Sequence, residues 1–213
     1  MKRDKSGAGS LRADASRNLA KILSAARAVF AEDGLAAPMD LIARRAGVGI
    51  GTLYRRFPTR DALVAAIAEE YVTDLVAVTR ELGEAEQDVR AALCGLVDWC
   101  AEPGRGALAA ALADVPTERF HASPPFARAR HEWLELVDDL VRRGQRDGVV
   151  RPDIGTGDVV GLLNLFACHP DRLPGQVGVQ PGRYLRLMLD ALLTGPARLG
   201  ELPGAPVDLD ALR

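Results

Sequence analysis

Pro38-Met39-Asp40-Leu41-Ile42-Ala43-Arg44-Arg45-Ala46-Gly47-Val48-Gly49-Ile50-Gly51-Thr52-Leu53-Tyr54-Arg55-Arg56-Phe57-Pro58 decides how the chain is read. Proline is favoured at the first position of a helix, and Asp40 then lies in the first turn, where the helix dipole favours a carboxylate. That helix runs to about Ala46, and Gly47 breaks it. A second short helix starts near Gly49 or Ile50 and reaches Phe57. Pro58 ends it, because the residue before a proline avoids the helical region. Two short helices joined by a glycine-containing turn form a helix-turn-helix, here across about residues 38–57. In that geometry the second helix lies in the major groove with its N-terminal residues at base edges.

The second helix carries suitable side chains. Leu53 and Phe57, four apart, face the core, which turns Gly51, Thr52 and Arg55 outward. Thr52 suits a base edge or a thymine methyl, and Arg55 suits a bidentate contact to guanine. Tyr54, Arg56 and Arg60 flank them at positions suited to phosphates. Arg60 also opens the next helix, whose N-terminal amides attract anions. Gly49 and Gly51 allow close backbone approach to DNA at some cost in helix propensity. Ile50 either touches a thymine methyl or packs inward. Arg44 is a further candidate for DNA, although it and Arg45 read first as solvated surface residues.

Working outward, Leu19, Ile22, Leu23, Ala26 and Phe30 form the apolar stripe of a preceding helix that stops at Gly34. Thr59 is placed to cap a longer fourth helix carrying Leu63, Ile67, Tyr71, Leu75 and Val78. Helical periodicity continues to about residue 194. It is interrupted by a breaker at Pro103-Gly104-Arg105-Gly106, a loop through Ser123-Pro124-Pro125, Gly144 or Gly148, and a Pro/Gly-rich loop at 170–181. No segment alternates with period two over a useful length. The expected fold is all-α: an N-terminal three-helix helix-turn-helix domain followed by a C-terminal helical bundle, about nine helices in all.

The run Met39 to Val48, then Gly51-Thr52-Leu53-Tyr54-Arg55-Arg56-Phe57, then Arg60-Asp61-Ala62-Leu63 resembles the DNA-binding domain of TetR-type transcriptional regulators. The resemblance covers about residues 16–65 in detail, and the helical remainder matches in length and rhythm. It implies a homodimer with three DNA-binding helices, a linking fourth helix, and a C-terminal bundle holding a small-molecule site. Most such regulators are repressors that their ligand releases from DNA. Gly49 stands where the family often has Ser or Thr, Ile50 where it usually has a polar residue, and Arg60 where Lys is frequent. These departures bear on the operator sequence, not on DNA binding.

Composition and charge agree. A chain of 213 residues with 48% hydrophobic and 26% charged residues buries a real core and is not disordered. No apolar run approaches the ~20 residues of a membrane span, and no secretory signal opens the chain, so a cytoplasmic protein with no membrane partner is expected. Cys94, Cys100 and Cys168 show no metal spacing and read as small buried side chains. Neither His residues nor carboxylates form a metal or catalytic set, so no metal, no cofactor and no enzymatic activity are expected. The formal charge of −2 hides an asymmetry: residues 1–60 hold 12 Lys+Arg against 5 Asp+Glu, and the remainder holds 15 against 24. A basic end on an acidic body suits a polyanionic partner, here double-stranded operator DNA.

Three regions follow: a flexible basic arm at 1–15, a helix-turn-helix domain at 16–60, and a ligand-binding and dimerisation domain at 61–213. The arm (Lys2, Arg3, Lys5, Arg12) either follows the DNA or stays unbound. In the body, Trp99, Cys100, Phe126, Trp133 and Phe166 are candidates for an effector pocket, with His131 and His169 nearby, although each separately also reads as ordinary core or surface. The last two helices, about 156–168 and 181–194, are apolar over more than one stripe. That calls for burial on two sides, and a symmetric partner supplies one of them. The competing reading is a helical small-molecule-binding protein with a non-functional helix-turn-helix. The basic surplus and the Thr52/Tyr54/Arg55/Arg56 set count against it.

Overall fold

A computed structural model describes residues 6–85, 88–113, 115, 123–168 and 181–194. Its described elements are helices: α1 (Ser6–Asp33), α2 (Met39–Ala46), α3 (Ile50–Arg56), α4 (Arg60–Ala85), α5 (Val89–Ala101), α6 (Pro103–Ala113), α7 (Pro124–Arg146), α8 (Thr156–Cys168) and α9 (Pro181–Leu192). No strand occurs among the described residues beyond an isolated antiparallel bridge between Val150 and Leu193. The all-α expectation holds. The chain divides into two compact units, residues 1–67 and 68–213. The division falls inside α4, and the buried Leu63, Val64 and Ile67 lie on its N-terminal side.

In the first unit, α1 buries Ile22, Ala26, Val29 and Phe30 along one stripe. The helix reaches back to Ser6, through most of the stretch expected to be a flexible arm. Gly7, Gly9, Ser10 and Asp14 weaken helix propensity there, but no proline stops the helix. Residues 1–5 lie outside the described residues. Gly34 ends α1 with φ +76°, a conformation that favours glycine. Pro38 caps α2 in an extended conformation. Gly47 closes α2 at φ +65°, its N–H donating to Arg44 O at 3.1 Å while Val48 N donates to Ala43 O at 3.0 Å. These two bonds satisfy carbonyls that would otherwise be orphaned at the helix end. Thr59 caps α4 as expected, its Oγ1 accepting from Ala62 N at 3.1 Å.

The second unit has a core of Leu75, Leu93, Leu96, Val97, Cys100, Val137, Leu140, Val141, Val159, Leu163 and Leu189, among others. Two expected breaks take a different form. Pro103 is the first residue of α6, with Glu102 before it extended (ψ 127°), so the Pro-Gly-Arg-Gly run is a helix start, not a loop. Ser123 likewise precedes α7, with Pro124 and Pro125 in its first turn, where no N–H is missed. Gly144 lies inside α7 because a Cβ there would sit 2.5 Å from Val150 Cγ2 and 3.0 Å from Val89 Cγ1. Gly148, with φ +69°, is the residue that turns the chain. Beyond it, Thr194 N donates to Val149 O at 2.8 Å and Arg151 N to Leu192 O at 3.2 Å, fastening the end of α9. The expected loop at 170–180 and His169 lie outside the described residues.

Candidate nucleic-acid interface

The recognition element is built from its buried side outward. Leu53 is fully buried and Phe57 nearly so, which fixes the roll of α3. Gly49 caps the helix with its carbonyl, which accepts from Thr52 N at 2.9 Å and Leu53 N at 3.2 Å, and no side chain caps it. The opposite face is open. Gly51, Arg55 and Arg56 are exposed and Thr52 is half-buried. Ile50 and Tyr54 are 43% and 46% exposed, and with Leu187 they are the exposed large hydrophobic side chains among the described residues. Ile50 therefore does not pack fully inward. Spaced four apart, Ile50 and Tyr54 share one face of α3. Ile50 and Tyr54, with Arg55 and Arg56, make the outward surface of α3 partly apolar and partly basic.

Electrostatics sorts the arginines. Arg55 and Arg56 form no side-chain hydrogen bond or ion pair among the described residues. Arg44 pairs with Asp40 at 3.1 Å, one turn apart on an exposed face, a weak interaction that a phosphate would compete with. Arg45 is committed elsewhere, to Glu32 at 2.5 and 2.9 Å, and its hydrogen bonds hold the Glu32 carboxyl below its ordinary range. Arg60, expected at a position suited to a phosphate, donates from Nη1 to Leu35 O at 2.8 Å and Ala37 O at 2.6 Å. The sequence held a signal for this, since a cation at the first position of a helix opposes the dipole. Neither Gly49 nor Gly51 has an atom within 4 Å of where a Cβ would stand, so neither is required by packing in the free protein.

The described side chains among the candidate effector residues lie in the second unit. Trp99 is half-buried, 5.8 Å from the Tyr71 ring, with the Arg105 guanidinium 4.5 Å from its centroid. Trp133 is half-buried and donates from Nε1 to Thr79 Oγ1 at 3.2 Å. Cys100, Trp99 and Trp133 all pack on the one core cluster, and Phe126 is buried without joining it. The side chain of Phe166 lies outside the described residues. A cavity of about 20 Å³ opens among α5, α8 and α9, lined by aliphatic side chains such as Leu96, Leu163 and Met188. None of Trp99, Cys100, Phe126 and Trp133 lines it. Burial pushes the Cys94 thiol up, against Arg186 and Arg90, which leaves little thiolate. Among the described residues no cluster of His, Cys, Asp or Glu could hold a metal, and no helix is long and apolar enough to cross a membrane.

A buried-backed helix presenting two arginines, a threonine and open glycines after a glycine turn defines a helix-turn-helix DNA-binding regulator. Comparison with known proteins agrees. The profile of bacterial regulatory proteins of the tetR family matches residues 22–67, and that of the C-terminal domain of SbtR-like transcriptional regulators matches residues 93–193. The chain belongs to the TetR family of transcriptional regulators. It is 30% identical over 182 residues to the HTH-type transcriptional repressor KstR2 of Rhodococcus jostii, covering 81% of this chain and 89% of that one. It is 29% identical to the regulator UidR of Escherichia coli over 67% of this chain and 74% of that one. A crystal structure of a TetR regulatory protein from Mycobacterium vanbaalenii superposes with a TM-score of 0.60 at 35% identity, covering 86% and 99% of the two chains.

Proposed function

We propose that the protein is a homodimeric repressor that binds a palindromic operator and is released from it by a small-molecule effector. The observation that carries the reading is the outward face of α3, where Ile50 and Tyr54 stand exposed beside Arg55 and Arg56, neither of which has a hydrogen bond or ion pair among the described residues. Thr52 and Arg55 read base edges, Gly51 admits the backbone, Ile50 meets a thymine methyl, and Tyr54, Arg56 and Arg44 hold the DNA backbone. Residues 16–60 act as the DNA-binding domain, and residues 61–213 as the effector and dimerisation domain. The relative named a repressor supports the sign of regulation. The protein acts in the cytoplasm and catalyses nothing.

The dimer reading rests on α8 and α9. Leu187 is 43% exposed, Ala191 one turn on is exposed, and Gly157 and Gly161 offer α8 a face with open space about each Cβ position. For the effector, the core around Trp99, Cys100 and Trp133, with Phe126 and Phe166, is the proposed site, and the ligand would displace the Trp133–Thr79 hydrogen bond. Binding there acts by differential affinity for two dimer geometries, of which one matches successive major grooves. Tyr54→Ala and Arg55→Ala test the reading: each retains the helical circular dichroism of the parent and loses operator binding. Retained operator affinity in both would leave the helix-turn-helix without a function.

A further inference from the structure

Arg60 occupies the first position of α4, where a cation faces the positive end of the helix dipole. Both carbonyls that its Nη1 reaches belong to the segment between α1 and α2, just past Gly34. In sequence they stand 25 and 23 residues before Arg60. Everything between them is the recognition element: α2, the Gly47 turn, α3, and Phe57-Pro58. One half-buried side chain therefore closes the loop that contains the whole helix-turn-helix. Nη1 carries two hydrogens, and the two carbonyls take both. Bonds from a guanidinium to backbone carbonyls are charge-assisted and among the stronger kinds, and here they also satisfy two acceptors of an irregular segment.

Resting on the operator-binding reading above, we infer that Arg60 is a positioning residue for DNA recognition. It clasps the entry of α2 to the exit of α3 and fixes how α3 is presented, instead of holding a phosphate. The role needs two consequences together: the clasp must order residues 35–57 in the free protein, and operator affinity must depend on that order.

Arg60→Met keeps the length of the side chain and removes its donors and charge. The probe is the duplex that the wild-type chain enriches from a randomised library. In the free variant, amides of residues 35–57 exchange hydrogen faster than in the parent. Affinity for the duplex falls about tenfold, the scale of one hydrogen bond to a charged group. The slope of log affinity against log salt keeps its parental value, because no phosphate contact is lost. A phosphate contact in each half-site predicts the reverse: unchanged exchange, and a slope flatter by about 1.8, at about 0.9 per phosphate. That result overturns the inference. Faster exchange with unchanged affinity also overturns it, reducing Arg60 to a stabilising residue. If Arg60→Met does not fold, the neutral Arg60→Gln takes its place: protection and affinity falling together at the parental salt slope supports the clasp, and a flatter slope with parental protection overturns it. A wild-type chain that enriches no duplex sinks the operator reading itself, and that is known before any variant is measured.

Discussion

Gly51→Ala separates the stability of the recognition helix from its fit to DNA. Gly51 lies in the first turn of α3, exposed, and a Cβ built there meets no atom within 4 Å. Its φ is not positive, so alanine adopts the same backbone without strain. Alanine is the better helix former by about 0.5–1 kcal/mol, with the lower end fitting a residue so near the helix start. For a chain of this size 1 kcal/mol moves Tm by about 2–4 °C, so the variant gains about 1–4 °C. On DNA the outcome reverses, because the methyl occupies space proposed for a close backbone approach. Overpacking by one methyl costs about 1–3 kcal/mol, which is about 5- to 150-fold in affinity at each such contact. Thermal unfolding and fluorescence anisotropy with a labelled operator measure the two quantities on one sample. A more stable protein with undiminished operator affinity would refute the reasoning, since α3 could not then approach DNA through residue 51.

Three further outcomes follow from the geometry. Gly144→Ala forces a Cβ to 2.5 Å from the stiff Val150 side chain, and net of alanine's better propensity it lowers stability by about 1–2 kcal/mol in thermal or urea unfolding; an unchanged midpoint would contradict the packing described. Leu187→Glu places a charge on the exposed apolar position of α9 and shifts sedimentation toward monomer, whereas an unaltered dimer would put the interface elsewhere. The Glu32 carboxyl is held below its ordinary range by Arg45, so its contribution to stability is present above the unfolded value and lost as pH falls through the folded one. The Tm difference between the parent and Glu32→Gln, greatest at neutral pH, therefore closes as pH falls below the ordinary carboxylate range; a difference that persists in acid would exclude the ion pair as its cause.

Much of the N-terminal architecture was legible because single residues dictate it. Gly34 and Gly47 adopt positive φ, Pro58 ends α3, Thr59 caps α4, and Leu53 with Phe57 sets which face of α3 is buried. These are local rules, satisfied within a turn of each residue. The sequence was less informative where the same residue serves two local purposes. Pro103 and Pro124-Pro125 read as breakers but stand at helix starts, where proline is equally at home. Gly144 read as a possible stop, but its reason is a neighbour that periodicity does not reveal, Val150. Arg60 depended on carbonyls 25 and 23 residues before it, and Trp133 on a hydrogen bond to Thr79, 54 residues before it. Trp99 and Trp133 stood out as candidate pocket residues, yet the aliphatic cavity among α5, α8 and α9 was assembled from positions that all looked like ordinary core.

The central claim is that α3 reads a two-fold operator. Selection of bound duplexes from a random library by the purified chain, followed by titration of the enriched duplex over a salt series, tests it most directly. The account predicts an inverted repeat with half-sites separated by whole turns of the double helix, and affinity that falls steeply as salt rises. No enriched sequence, with weak binding of equal strength to every duplex, would contradict it.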